Sequence, residues 1–599
     1  MSLGQLPSEI LCQIFGYVQD TRQLLKIHQT IPHHEIKKCI ELHLFKEVQL
    51  CSWECFHGHY YQSTIGDDND LEIRLIDSKN SPSSILINVD TLSFEKLSRY
   101  KHNVKNITIP NHYRGDMPEF FKSKIAEFIN TLPQLQSLVT YYQLPPIATP
   151  IISLVEHHNP SNLQNYNLSR LKYLQTKSGN QMSEPIKAPE LQTLSTTICL
   201  KTLDGTTWKS SPKLRELGIN SMKKLNCQQL NHENFQSLQK IKISQWDSDS
   251  MMMFEIVGTW NLDKLRIFSF DGNHKKISDS SLSKVISGSK NIDQLNLTRC
   301  SYHSMDELST PLKHLKNLHS LDLTGNKISA FCMLENSNLH NLCLNDNKIN
   351  DLKNFQYHQD LQVLQLSKNH ILQLQHLDNL QQLKVLDLSF NKIYKIQNLE
   401  TLTNLETLDL SHCYIKTIEG LSTLTNLKHL NLNHNHHIKS IENLETLTNL
   451  THLSLSYTSI GKIDNLHSLT NLVKLELSNN RFTIVENLQN LLNLQTLDLS
   501  KNQGQLDVAR FANLKKLRNI DLSGGCQLIN LQSLRKLPNL WRLNLTDSSW
   551  HSQDLTWLKD RNIDLCGVTI ADHNNNAGGG VGSMASRFFS ALFDYILIY

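Results

Sequence analysis

Four potential metal donors stand close together in CSWECFHGHYY: Cys51, Cys55, His57 and His59. Thiolate and imidazole suit zinc, but C-x3-C-x-H-x-H matches no common finger, and donors this close together strain a tetrahedron. No metal is therefore expected. The chain has no Walker A loop, no G-x-G-x-x-G opening a helix, no H-E-x-x-H and no G-x-S-x-G. Nucleotide binding and hydrolytic nucleophile chemistry thus have no carrier. The histidines of NHNHHIKS fall in a turn open to solvent. Neither a catalytic residue nor a cofactor is expected.

What must be positioned is therefore a surface rather than a reaction centre. At 599 residues the chain exceeds one compact core and must be several domains or a repeat array. It is 39% hydrophobic and 19% charged, with net charge +3, which gives no global pull toward nucleic acid or an anionic membrane. Its first residues lack a basic segment followed by a long apolar run, and no stretch approaches the ~20 apolar residues of a membrane span. Its 12 cysteines are scattered without paired spacing, several of them at apolar positions, as reduced intracellular thiols are. The expected location is the cytoplasm, the nucleus or both.

Self-comparison finds one unit copied along the chain. LHSLDLTGNKI at 318, LHNLCLNDNKI at 339, LQVLQLSKNHI at 361 and LKVLDLSFNKI at 383 are successive copies, and the series continues to LWRLNLTDSSW at 540 with spacings of 21 to 23 residues. The pattern resembles the leucine-rich repeat signature, L-x-x-L-x-L-x-x-N/C-x-L. In L-x-L the leucines point to one side of a short strand. A single strand cannot bury them, so neighbours must stack into a parallel sheet over a continuous core. Asn326, Asn347, Asn369, Asn391, Asn435, Asn480 and Asn502 form an expected ladder satisfying backbone groups at the turn, with Cys413 and Thr458 as small interruptions. Looser copies lie upstream, with those at 214, 238, 265 and 292 spaced 24 to 27 residues apart. These longer units leave room for an outer helix, whereas the shorter ones return through 3₁₀ or extended segments.

The opening LPSEILCQIFGYVQDTRQLLKI reads as a helical hairpin. Pro7 starts a helix, and Ile10, Leu11, Ile14, Phe15 and Val18 form its apolar stripe. The stretch closely resembles the F-box, L-P-x-E-I-L-x-x-I-F-x-Y-L, at Leu6, Pro7, Glu9, Ile10, Leu11, Ile14, Phe15 and Tyr17, with Val18 for the last leucine. A hairpin that merely caps the repeats has no reason for this spelling. An F-box joined to leucine-rich repeats resembles the substrate receptors of Skp–cullin–F-box ubiquitin ligases. The resemblance implies a non-catalytic subunit that raises the local concentration of a substrate lysine. It also implies that Leu6, Pro7, Glu9, Ile10, Leu11, Ile14, Phe15 and Val18 bind a Skp-type adaptor, and through it a cullin, while the repeats hold the protein substrate. The alternative is a repeat scaffold resembling regulatory subunits of protein phosphatases, which lack an F-box.

The expected fold is α/β: a leucine-rich-repeat solenoid with a parallel sheet on its concave face and an N-terminal α-helical F-box. The expected divisions are an F-box at 1–48, a linker and cap at 49–103, irregular repeats at 104–317, regular repeats at 318–568, and a flexible linker with a short apolar tail at 569–599. That tail ends in RFFSALFDYILIY, which is too short to cross a bilayer. It docks, touches a membrane, folds back on the array or stays disordered. On the concave face the residue before the ladder is Phe390, His412, His434 and Tyr457 in successive repeats. Strands ~4.8 Å apart would align these rings into one column. Exposed rings are typical anchors, so this column, with Asp387 and Asp409 beside it, is the expected substrate surface. The carboxylates point to a basic segment in the substrate.

Overall fold

The computed structural model describes the backbone of strands Glu47–Cys51, Tyr60–Ile65, Leu71–Ile76 and Ile85–Asn88. It then describes residues 104–566 with interruptions, the longest at 177–187, 197–211, 221–234, 245–261 and 550–562. The expected F-box helices and the C-terminal tail lie outside the described residues.

Each L-x-L of the regular series forms a strand. Val385–Asp387, Thr407–Asp409, His429–Asn431 and His452–Ser454 pair in parallel, one repeat to the next. In this register Leu386, Leu408, Leu430 and Leu453 sit opposite one another, and all are buried. Every leucine thus covers its neighbour's, which no single repeat could do for itself. The row of strands reaches back to Asn106–Ile109 and forward to Asp564–Cys566.

The described helices of the array lie in its first part: Glu119–Asn130, Asp279–Ser287 and Asp306–Leu312. Helix Glu119–Asn130 buries Ile125, Ala126, Phe128 and Ile129 against the sheet. Beyond residue 318 the described returns are turns and short 3₁₀ segments such as Val508–Phe511, because a 22-residue unit has no length to spare for a helix.

Two features go beyond the expectation. The segment expected as a linker and N-terminal cap contributes strands to the edge of the sheet. Glu47–Cys51 pairs in parallel with both Asn106–Ile109 and Ile85–Asn88, and an antiparallel ribbon of Tyr60–Ile65 and Leu71–Ile76 extends the edge. The expected boundary at 48 therefore falls inside a strand. These strands escape the repeat pattern because their leucines, Leu50, Leu71, Leu75 and Leu86, do not recur at the repeat's spacing.

The second feature is an extra strand, Ser153–Glu156, between Ser137–Thr140 and Tyr173–Thr176. Its second inward position holds Glu156 instead of leucine, and the register places Thr140 and Thr176 on either side. All three are fully buried. The Tyr166 hydroxyl donates to Glu156 Oε1 at 3.3 Å, while Oε2 has no hydrogen-bond partner among the described residues. Burial pushes this carboxyl up from an ordinary 4.5 to about 7, with the tyrosine opposing.

Candidate functional site

Where each strand ends, the chain must turn off the sheet without abandoning its backbone groups. The ladder asparagine does this from inside the turn. Asn391 Nδ2 donates to the carbonyls of Leu366 at 2.9 Å, Leu388 at 2.9 Å and Ser389 at 3.2 Å, and its Oδ1 accepts from Ile371 N–H at 3.0 Å. One amide thereby ties its own turn to that of the preceding repeat, and Asn369, Asn435 and Asn502 repeat the arrangement. At the interruptions, Cys413 Sγ reaches the Leu388 carbonyl at 3.5 Å and Thr458 Oγ1 reaches the Leu455 carbonyl at 3.1 Å. Burial pushes the Cys413 thiol up to about 12, so it stays a packed, inert thiol.

The residue just before the ladder position takes a left-handed backbone throughout, from Arg299 (φ 51°) through Phe390 (55°), His412 (53°), His434 (58°) and Tyr457 (56°) to Asp547 (59°). The conformation turns its N–H toward the next repeat. Phe390 donates to the Ser411 carbonyl, His412 to Asn433, His434 to Ser456 and Tyr457 to Ser478, all at 2.8–2.9 Å. The sheet ladder therefore runs past the strand and fixes these Cβ atoms one strand apart. The four rings consequently stack. Phe390–His412 centroids are 3.9 Å apart, His412–His434 3.9 Å and His434–Tyr457 4.1 Å, with planes within 14° of parallel. Phe390 ends the column, 37% exposed, with Lys368 Nζ 5.6 Å from its ring centre.

The expected acidic partners of this column are turned back on their own turns. Asp387 Oδ1 accepts from the Ser389 amide at 2.9 Å and its hydroxyl at 2.7 Å. Asp409 does the same with Ser411, and its Oδ2 accepts from Asn431 Nδ2 at 2.8 Å. Burial raises the Asp387 carboxyl above its ordinary range, against the pull of Ser389. Such carboxylates cap the strand end, which explains the aspartate in L-D-L-S without reference to a ligand. The preference for a basic segment does not follow from this geometry.

Sequence reading missed a second exposed ring pair on the same edge. Tyr394 and Tyr414 stack with centroids 5.4 Å apart and are 50% and 45% exposed. They occupy different positions of adjacent repeats, so a column-by-column comparison separates them. Across the sheet runs the other edge, an open groove lined by Lys384, Glu406 and Lys428 and by the row Asn404, Asn426, Asn449. Lys428 there pairs with Glu406 at 2.8 Å, and each asparagine amide donates to a carbonyl of the repeat before at 2.9 Å.

The adaptor-binding residues expected at 6–18 lie outside the described residues, as do the side chains of Cys51, Cys55, His57 and His59. Among the described residues no cluster of three or more His, Cys, Asp or Glu is placed to hold a metal, and no helix is long and apolar enough to cross a membrane.

Residues 338–560 match the model of the leucine-rich repeat region family. Over that stretch the chain is similar to leucine-rich repeats. Solved structures of similar fold include a leucine-rich-repeat protein of Leptospira interrogans, 23% identical over 67% of this chain and 96% of that one, with a TM-score of 0.47. An internalin from Listeria monocytogenes is 22% identical over 57% of this chain and 90% of that one, with a TM-score of 0.44. The TLR13–ssRNA13 complex is 16% identical over 85% of this chain and 97% of that one, with a TM-score of 0.50. At these identities the likeness is one of fold alone. No curated protein matches the chain. Repeats of this kind suggest a protein-binding scaffold.

Proposed function

We propose that the chain is the substrate-recognition subunit of a Skp–cullin–F-box ubiquitin ligase, acting in the cytoplasm, the nucleus or both. The observation that carries the reading is the run Leu6, Pro7, Glu9, Ile10, Leu11, Ile14, Phe15 ahead of a leucine-rich-repeat solenoid. The hairpin takes the Skp-type adaptor and through it the cullin. The solenoid takes the substrate and presents its lysines for degradation-directed ubiquitination.

The substrate surface is the ring column. Energetics support a use for it beyond packing. A left-handed backbone costs a side-chain-bearing residue about 1–2 kcal/mol, and each ring pair returns about 0.5–1.5 kcal/mol. Four such residues cost about 4–8 kcal/mol and the three ring pairs return about 1.5–4.5 kcal/mol, so stacking offsets only part of the cost. Other repeats fill the same position with Gly325, Asn479 and Gly524, which adopt it more readily, and also with Arg299, Asp346, Lys368, Lys501 and Asp547. Four consecutive rings there gain little stability over those residues, so a recognition role is the better account of them.

Affinity purification of the tagged full chain from cells with the proteasome and cullin activation inhibited tests the reading. The expected result is recovery of a Skp-type adaptor, a cullin and a stabilised substrate. Replacing Phe390, His412, His434 and Tyr457 together by asparagine, which tolerates the left-handed turn, should keep the adaptor and release the substrate. If every protein enriched by the wild type stayed bound, the substrate site would have to move to the repeats before residue 318.

A further inference from the structure

The edge of the sheet that carries the rings is also rich in lysine. Where four successive repeats leave the sheet, at 368–373, 390–395, 412–417 and 434–440, the chain contains no aspartate or glutamate. The same segments carry Lys368, Lys392, Lys416 and Lys439, all exposed and, among the described residues, with no carboxylate within ion-pair distance; a fifth, Lys395, pairs with Glu419 at 3.6 Å. A second backbone ladder keeps these segments in register: Lys392 N–H donates to the Ile371 carbonyl and Tyr414 N–H to that of Ile393, each at 2.9 Å. The opposite edge is different, since Glu406 lies among its lysines and pairs with Lys428 at 2.8 Å, while Lys384 reaches Gln362 Oε1 at 3.5 Å.

We infer that this edge docks an acidic polypeptide segment, extended across the repeats from Lys368 to Lys439 and seated along the ring column. The inference rests on the ring column being the partner surface, and not on the ligase assignment. Charge complementarity sets the sign of the partner. The stacking sets its kind. The column's rings lie face to face at 3.9–4.1 Å, so along its length it presents ring edges. Single-stranded nucleic acid is held by bases stacking on open ring faces, and this column has spent its faces on itself. Edges, by contrast, are the electropositive rim of an aromatic ring and attract carboxylate or phosphate oxygens. An acidic segment, with or without phosphoserine, therefore fits both observations.

The test is fluorescence anisotropy on the purified full chain with four labelled probes of equal length: a Glu/Ser-rich peptide, its phosphoserine form, a Lys/Ser-rich peptide and oligo-U RNA. The expected result is binding of both acidic peptides, tighter for the phosphorylated one and weakened roughly tenfold by added salt. Lys368→Glu/Lys392→Glu/Lys416→Glu/Lys439→Glu should lose at least about tenfold in affinity, while Lys384→Glu/Lys428→Glu on the opposite edge should not. If the fourfold charge reversal lowers the circular dichroism, the four lysine-to-glutamine changes replace it, with a smaller loss in the same order. Equal loss in both sets of variants, or preference for the RNA or the lysine-rich peptide, overturns the proposal. Because these probes need no adaptor, a chain that binds them but recovers no Skp-type protein would refute the ligase reading alone.

Discussion

The side-chain amide of Asn391 donates to the Leu366 carbonyl of the preceding repeat at 2.9 Å, from a site that is 2% exposed. Its amide and carbonyl together make four hydrogen bonds to backbone groups that no water reaches. Asn391→Ala should therefore cost on the order of 1–3 kcal/mol. Urea titration of the full chain measures it, and a midpoint equal to wild type would show that the ladder is solvated.

The buried carboxyl between Thr140 and Thr176 gives a pH dependence whose sign is fixed. Glu156 is raised to about 7 when folded, against 4.5 otherwise. Below 4.5 it is protonated in both states and costs nothing. As pH rises toward 7 the unfolded chain releases its proton first, and up to about 3 kcal/mol of local stability is lost. Glu156→Gln should remove that loss. Hydrogen exchange of strands 137–140, 153–156 and 173–176 should then be similar at pH 5 and pH 8, corrected for intrinsic rate, whereas the wild type opens more readily at pH 8.

The left-handed position ranks substitutions in a way that side-chain size does not. His412→Asn loses two ring contacts but keeps a residue at ease with φ 53°. His412→Val loses the same contacts and forces a β-branched residue into that conformation, so it should be less stable than the asparagine variant by about 1–3 kcal/mol. Thermal unfolding of the two proteins side by side checks this. Equal midpoints would mean that the turn relaxes freely.

What could be read from the sequence followed the strength of its period. The regular strands and the ladder were legible because leucine and asparagine recur every 21 to 23 residues. The ring column was legible for the same reason: a fixed period turns equal positions into neighbours. Ser153–Glu156 was hidden because its second inward residue is Glu156, which breaks the hydrophobic alternation that marks a strand. The strands at 47–88 were hidden because they share no period with the repeats. The fate of Asp387 and Asp409 depended on local hydrogen bonds to Ser389 and Ser411, and a row of carboxylates in the sequence does not reveal whether they face a ligand or their own turn. The basic edge was overlooked because its lysines sit at unequal positions of successive repeats.

The most direct measurement of the central claim is binding of the purified chain to a purified Skp-type adaptor, read by size-exclusion chromatography and calorimetry. The wild type should form a one-to-one complex. Leu6→Ala/Pro7→Ala/Ile14→Ala should abolish it while the far-ultraviolet circular dichroism of the solenoid stays unchanged. A triple variant that binds the adaptor as tightly as wild type, or a wild type that does not bind it, would contradict the account.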